Sequence, residues 1–355
     1  MRLPKPENKL EKGIYWPPIY YKATPRISSR QTYLLLLGIC MLLWETITVA
    51  SPTRPEIKAF IDEMVTQHGF SRPRLEGIFS KVQFQPSIIN LISTPSSAIP
   101  WSQYRSRFVN PQRIKNGVSF WNQHSNILQR ANQEYGIPEE IIVAIIGVET
   151  SYGASTGKHR VIDALTTLAF DFPKRAEFFR SELVQYLLLA QEQNFDLLSI
   201  RGSYAGAIGI PQFMPGSYRK FAVDFDGDGK VDLANSVADA IGSVANYLKQ
   251  YGWEVGGPIV IQSSVKADHL QEILESGIEP KHTIKQLQEV SIIPMQSFEN
   301  ERLAALIELK DNENFQYWLG FKNFYVITRY NRSSFYAMSV HQLAEAIRNA
   351  RNPIK

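Results

Sequence analysis

The chain has 355 residues, enough for two or three domains of ordinary size. Its composition, 44% apolar and 20% charged, excludes wholesale disorder, and its single cysteine, Cys40, excludes a disulfide framework or a cysteine-built metal site. The net charge of +4 is carried by the first fifty residues; beyond them basic and acidic residues balance, which argues against a protein that binds nucleic acid by neutralising phosphates.

Lys5, Lys9, Lys12, Lys22, Arg26 and Arg30 precede an apolar run from Tyr33 to Trp44, too short to span a bilayer as a helix. Glu45 ends the run, and Thr48-Val49-Ala50 offers a small residue for cleavage. Residues 1–50 therefore read as a secretory signal, cut after Ala50, that delivers the remainder to the periplasm. Left uncut, the same segment would hold the protein at the membrane. Cys40 is a poor lipidation site, because Ile39 stands where a small residue is needed and the apolar run continues past it.

Ser51 to Pro55 is a Pro-rich linker, and Ile57, Phe60, Ile61, Met64 and Val65 share one face of a helix. Pro73, Pro86, Pro95 and Pro100 then cut the chain into short helical pieces. The spacing of Phe120, Trp121, Ile127, Leu128 and Ala131 predicts one amphipathic helix over Val118–Tyr135. Pro138, Glu139 and Glu140 open the next helix with a proline and acids in its first turn. From Ile141 to Val148 that helix is apolar or Gly at every position, the pattern of a buried helix. Further helices are expected over Phe178–Glu192, Val237–Tyr251 and Ser339–Arg348. Ile259-Val260-Ile261 and Phe324–Thr328 read as strands, and Ala304–Lys310 alternates only in part.

Glu149 ends the apolar helix. Apolar surroundings and the negative end of the helix dipole both disfavour its carboxylate, and a carboxyl kept protonated near neutral pH can act as a general acid. On the helix alone, an ordinary exposed last-turn Glu is the plainer reading. Between Arg201 and Pro215 the chain is dense in small residues, which allow a ligand close to the backbone. There the hydroxyl of Ser203 and the amide of Gln212 can bind sugar hydroxyls or acetamido groups. The same density of small residues would also suit tight helix–helix packing.

Asp224-Phe225-Asp226-Gly227-Asp228-Gly229-Lys230 supplies carboxylates at positions 1, 3 and 5 of an EF-hand-like loop, Gly at position 6 and a backbone carbonyl from Lys230 at position 7. Position 12 is Asn235 rather than Glu, so the closing carboxylate would be Asp239, with Asp232 as an optional extra ligand. A metal-free acidic turn is the plainer alternative. Ser155-Thr156-Gly157-Lys158 spells S-x-x-K without the partner motifs that would make it a penicillin-binding site, and no His pair has zinc spacing.

Six segments together resemble the membrane-bound lytic murein transglycosylases of the B type. They are Gly147-Val148-Glu149-Thr150, Gly202–Ala207, Pro211–Pro215, Val223–Gly229, Asp239–Tyr247 and Thr328-Arg329-Tyr330-Asn331. The resemblance runs from about Phe60 to the C-terminus. It implies a mainly α (α+β) fold, in which a lysozyme-like catalytic core with one EF-hand-like loop is flanked by a helical N-terminal part and a small β-containing domain. The divisions it implies are a signal over 1–50, a linker and helical domain over 51–115 and the core over 116–255. A β-containing domain over 256–318 and a C-terminal strand and helix over 319–355, returning to the core and cleft, complete them.

The resemblance further implies cleavage of the β-1,4 bond between N-acetylmuramic acid and N-acetylglucosamine in peptidoglycan. Glu149 would be the sole catalytic carboxyl, first as acid and then as base toward the muramoyl C6 hydroxyl, which closes a 1,6-anhydro ring. Ser203, Gln212, Tyr104, Tyr247, Asn331 and Tyr336 correspond to substrate-contacting positions. Asp224, Asp226, Asp228, Lys230 and Asp239 would hold a structural Ca2+, with no organic cofactor. The protein is expected to act on glycan strands as a monomer, alone or beside other cell-wall enzymes, and not on nucleic acid. A hydrolase on the same core, or a calcium-stabilised protein that binds peptidoglycan without cutting it, are the alternatives.

Overall fold

The computed structural model describes residues 54–93, 99–266 and 270–353. The expected signal, Cys40 and Pro95 lie outside the described residues. Helix α1 (Pro55–His68) starts with Pro55 and ends on Gly69 in the left-handed conformation; it buries Ile57, Phe60, Ile61 and Met64, the predicted stripe. Three short helices follow, α2 (Arg72–Phe79), α3 (Pro86–Ser93) and α4 (Trp101–Ser106), each begun at or beside a proline.

The single helix expected over Val118–Tyr135 is two. Helix α5 (Pro111–Gln123) is capped by the Asn110 side chain, which accepts from Arg113 N, and α6 (Ser125–Tyr135) begins after His124 has left helical geometry. The break lets each half meet its own partners. Both halves pack on α7 (Glu139–Thr150), but α5 also packs on the C-terminal helix and α6 on the helix Val237–Gln250. In α7 every residue from Ile141 to Val148 is buried, as its all-round apolar sequence requires.

The strand β1 (His159–Arg160) leads into α8 (Val161–Asp171), which lies along α9 (Ala176–Glu192). The strand β2 (Arg201–Gly202) returns antiparallel to β1 with His159 opposite Gly202. Helices α10 (Pro215–Phe221) and α11 (Val237–Gln250) follow, the latter capped by Ser236.

The β-containing region is a five-stranded antiparallel sheet in the order β4-β6-β7-β3-β5. Its strands are β3 (Val260–Val265), β4 (His282–Thr283), β5 (Ile292–Pro294), β6 (Leu303–Asp311) and β7 (Asn314–Gly320), with short helices α12 (Leu270–Glu275) and α13 (Ile284–Glu289) between them. Strand β6 alternates only partly in sequence because both its faces are covered. Ala305, Ile307 and Leu309 join the main core, while Ala304 and Leu306 pack with Ile284, Leu287 and Leu319 in a second cluster.

Phe324–Thr328, expected as a strand, lies inside helix α14 (Lys322–Tyr330). Its β-branched and aromatic composition favours a strand, but Phe324, Val326, Ile327 and Thr328 are all buried, and packing overrides propensity. Helix α15 (Ser334–Arg351) closes the described chain; Ser333 caps it by accepting from Tyr336 N. The β6–β7 hairpin is tied to α4, where Ser102 donates from its backbone N (3.4 Å) and its hydroxyl (2.6 Å) to Asp311 Oδ1. No helix among the described residues is long and apolar enough to cross a membrane.

Because α7 is enclosed on all sides, truncation inside it leaves a cavity that its neighbours cannot close. Ile145→Ala is expected to lower unfolding free energy by about 3 kcal/mol, read from the shift in urea midpoint at unchanged slope.

Candidate active site

Glu149 stands in the last turn of α7 and keeps part of its surface open. Directly after it, Ser151, Tyr152 and Gly153 take φ values of 51, 65 and 85° in succession, so the helix stops within one residue of Thr150. Two of these three are not glycine, and such left-handed geometry persists only where neighbours hold it. Those neighbours are visible. The Thr150 hydroxyl donates to Ile210 O (2.8 Å) and accepts from Gly153 N (3.0 Å). The Tyr152 hydroxyl donates to Arg113 O (2.8 Å), while the Arg113 guanidinium donates to Gly147 O.

A group of tyrosines surrounds the acid. Tyr336, in the first turn of α15, donates its hydroxyl to Glu149 Oε1 at 2.5 Å. Its ring stacks on Tyr330 with centroids 6.4 Å apart and planes 14° from parallel. Tyr330 donates to Pro211 O and Tyr247 to Arg329 O, both at 2.6 Å. Tyr104 is buried against Trp101 and Phe335. Burial pushes the Glu149 carboxyl from an ordinary 4.5 up to about 7, and the Tyr336 hydrogen bond, which favours the carboxylate, only partly offsets it. Tyr330 and Tyr336 are held far above the usual phenol range by burial and by the neighbouring Glu149 charge, and Tyr104 is pushed up to about 12 for the same two reasons. These hydroxyls therefore remain donors at any physiological pH.

Ser203 and Gln212 come together on a cavity of about 550 Å3 bounded by residues 154–159. The Gln212 amide N donates to Thr156 O (3.0 Å) and Gly209 O (2.8 Å), which fixes its orientation and leaves Oε1 as a free acceptor. Ser203 Oγ accepts from the backbone N of Ala205 (3.3 Å) and Ala207 (3.1 Å), which leaves its O–H to donate. Close backbone approach needs glycine here: a Cβ on Gly157, at φ 104°, would lie 2.0 Å from Gly202 O. Asn331 is exposed in the turn between Tyr330 and Tyr336, and its carbonyl accepts from Ser333 N (2.7 Å). Tyr330 and Thr150 were not among the residues singled out from the sequence. Both stood in the quoted motifs, beside Asn331 and Glu149, but nothing in spacing alone marked them.

The acidic loop is a second feature. Ligand atoms of Asp224, Asp226 and Asp239 all lie within 4.8 Å of one another. Asp224 accepts from the backbone N of Gly227, Asp228 and Gly229, which wraps the turn around it. Asp239 is 1% exposed and accepts from Phe225 N and Asp232 N, so it closes the loop from inside. Asp228 lies outside that group of three and accepts from Lys230 N. Asp232 turns both its oxygens to Ala234 and Asn235, so it is not aimed at a cation. Hard oxygen donors gathered this closely, with one of them buried, fit a calcium ion.

Residues 52–345 match the family model described as a transglycosylase SLT domain. The chain is 44% identical over 307 residues to membrane-bound lytic murein transglycosylase B of Escherichia coli strain K12, covering 84% of each. It is 46% identical, with a TM-score of 0.79, to the catenated lytic transglycosylase SltB1 of Pseudomonas aeruginosa, over 84% of this chain and 98% of that one. It is 45% identical, with a TM-score of 0.77, to Escherichia coli lytic transglycosylase Slt35 in complex with calcium, over 84% of this chain and 94% of that one.

The raised Glu149 carboxyl has a stability consequence. Its proton is held more tightly in the folded chain, so stability falls as pH rises from about 4.5 through about 7 and the buried group ionises. Glu149→Gln is therefore expected to be more stable than the parent above pH 7, by on the order of 2–3 kcal/mol. Urea melts at pH 8 and pH 4 check this: the gain should shrink to nothing at the lower pH.

Proposed function

The chain belongs to the B-type lytic murein transglycosylases, enzymes that cut peptidoglycan glycan strands without adding water, and we propose that Glu149 is the group that makes the cut. The observation that carries this reading is the half-buried Glu149 carboxyl, pushed up to about 7 and hydrogen-bonded by Tyr336 at Oε1. Tyr336 occupies Oε1, so Oε2 carries the proton. Near neutral pH a large fraction of the acid is loaded and can protonate the leaving glycosidic oxygen. The carboxylate so formed is the base that removes the proton from the muramoyl C6 hydroxyl. That oxygen attacks C1, the 1,6-anhydro ring closes, and Glu149 is protonated again. The Tyr336 hydroxyl stabilises the carboxylate between the two transfers.

A hydrolase would need a second carboxylate to activate water or to attack C1. Among the described residues the hydrogen-bond partner of the Glu149 carboxyl is the Tyr336 hydroxyl and not a second acid, in keeping with the intramolecular route. A non-catalytic scaffold would have no use for a carboxyl tuned to neutrality. Ser203, Gln212, Tyr104, Tyr247, Asn331 and Tyr336 are read as substrate contacts. The Ser203 hydroxyl and Gln212 Oε1 give a donor and an acceptor suited to an acetamido group.

Asp224, Asp226, Asp228, the Lys230 carbonyl and Asp239 are read as the ligands of a structural calcium ion. Bound there, the ion would neutralise the gathered carboxylates and staple the loop to the start of α11. The relative Slt35 with calcium supports this. As a cell-envelope enzyme the protein is read as exported through residues 1–50, and its Escherichia coli relative is membrane-bound. The core is read as residues 116–255 and the small β-containing domain as residues 256–318.

Glu149→Gln should abolish release of anhydromuropeptides from purified sacculi, a loss of at least about a thousandfold. Parent enzyme should release products lighter by one water than those of a muramidase. Mass spectrometry of the soluble fraction decides both points, and retained activity in the variant would sink the assignment. Chelation with EGTA should lower the melting temperature and calcium should restore it, the stabilisation free energy being RT ln(1 + [Ca]/Kd), about 3 kcal/mol at a hundredfold excess over Kd.

A further inference from the structure

We propose that Arg113 is a positioning residue for the reaction: it ties the chain on both sides of Glu149 to α5, and so holds the acid against the Tyr336 hydroxyl. The proposal rests on the assignment of Glu149 and deepens it, because it names what fixes the acid in place.

Arg113 lies in the first turn of α5 and makes two contacts with the end of α7. Its guanidinium donates to Gly147 O, two residues before Glu149, and its carbonyl accepts from the Tyr152 hydroxyl (2.8 Å), three residues after. Gly147 O also accepts from Ser151 N (3.1 Å), so the last helical turn and the left-handed turn share one anchor. The Tyr152 ring fills a slot that two glycines leave between α5 and α7. A Cβ on Gly147 or on Gly117 would lie 2.6 Å from the Tyr152 hydroxyl, and the one on Gly117 would also lie 2.5 Å from Ile347 Cδ1. Ile347 belongs to α15, the helix that carries Tyr336. Helix α5 therefore touches both the turn after the acid and the helix of its phenol partner. It fixes the gap that the 2.5 Å bond from Tyr336 to Glu149 spans.

The guanidinium is not held there by an ion pair. Burial disfavours its charge, no carboxylate among the described residues offsets this, and its Nε is buried without a hydrogen-bond partner. Its favourable contacts are the Phe108 ring, 5.6 Å away, and the negative end of α7. The titratable groups that face the Glu149 carboxyl are Tyr336 from α15, Tyr330 from α14, Tyr247 from α11 and Tyr104 from α4. All four phenols are held above their ordinary range, so a titration near neutrality is that of Glu149. Helix α6 buries only Leu128 and Ala131. The Tyr336 bond favours the carboxylate. A turn released from α5 weakens that bond, so the acid keeps its proton to higher pH and offers it from a displaced oxygen.

The test titrates Glu149 directly through the NMR signal of its carboxyl carbon, identified by its loss in Glu149→Gln, and measures kcat and KM on glycan strands. In Arg113→Met the Glu149 titration should move up by about half a pH unit, and kcat should fall about tenfold at unchanged KM. Arg113→Lys, which keeps a donor for Gly147 O, should recover most of both. Tyr152→Phe, which keeps the ring in its slot, should move both in the same direction as Arg113→Met and by less. In a Tyr336→Phe background Arg113→Met should move the titration no further. An unmoved titration in Arg113→Met or Tyr152→Phe, or a shift that persists without the Tyr336 hydroxyl, overturns the proposal. Turnover by Glu149→Gln overturns the assignment of the acid, a separate outcome.

Discussion

A carboxyl group half-buried at the end of an apolar helix and met by one phenolic hydroxyl is the constraint around which the molecule is arranged. Burial without a partner disfavours the ionised form strongly, and full pairing would pull the group back toward an ordinary acid. One hydrogen bond to one oxygen gives the intermediate state. It draws on α7, apolar from Ile141 to Val148, to set Glu149 in apolar surroundings, and it requires Tyr336 to arrive at a fixed angle. The Ser333 cap at the start of α15 supplies that angle, and the stack with Tyr330 limits the ring's freedom.

Two segments with unfavourable backbone geometry lie on either side of this group and are bonded to each other. The turn over residues 151–153 holds φ positive three times in succession, and Gln212, with φ 54°, does so without being a glycine. Thr150 joins them through Ile210 O, and Tyr330 joins the second to the aromatic group through Pro211 O. Conformations of this kind cost of order 1–3 kcal/mol each and survive only when surrounding contacts over-determine them. The acid and the Gln212 amide are thus positioned by one network, in which Thr150 is the central bond.

How much of this was legible in the sequence follows the range of the interactions. The buried helix and its start on a proline and two acids are written locally, in Ile141–Val148 and in Pro138-Glu139-Glu140, and both are found in the structure; in the acidic loop Asp224 and Asp226 gather with Asp239, whereas Asp228 does not. Where partners distant in the chain decide, local pattern fails. His124 breaks a helix because its two halves meet different helices, and Phe324–Thr328 is helical because its side chains have a core to enter. In the site, the helix offered Glu149 as a candidate, and only the matching motifs singled it out. Tyr336, 187 residues further on, came only from resemblance, and Tyr330 and Thr150 emerged only once their hydrogen bonds were seen.

The contact between Ser102 and Asp311 joins elements more than two hundred residues apart in the chain. Asp311 sits at the tip of the hairpin of the small sheet, and Ser102 is two positions before Tyr104 on a helix of a turn and a half. A helix so short has little cooperativity of its own and takes its place from what it leans on. The sheet is therefore no detachable module: an engineer who prunes it to make a minimal enzyme removes the strut under one side of the aromatic enclosure.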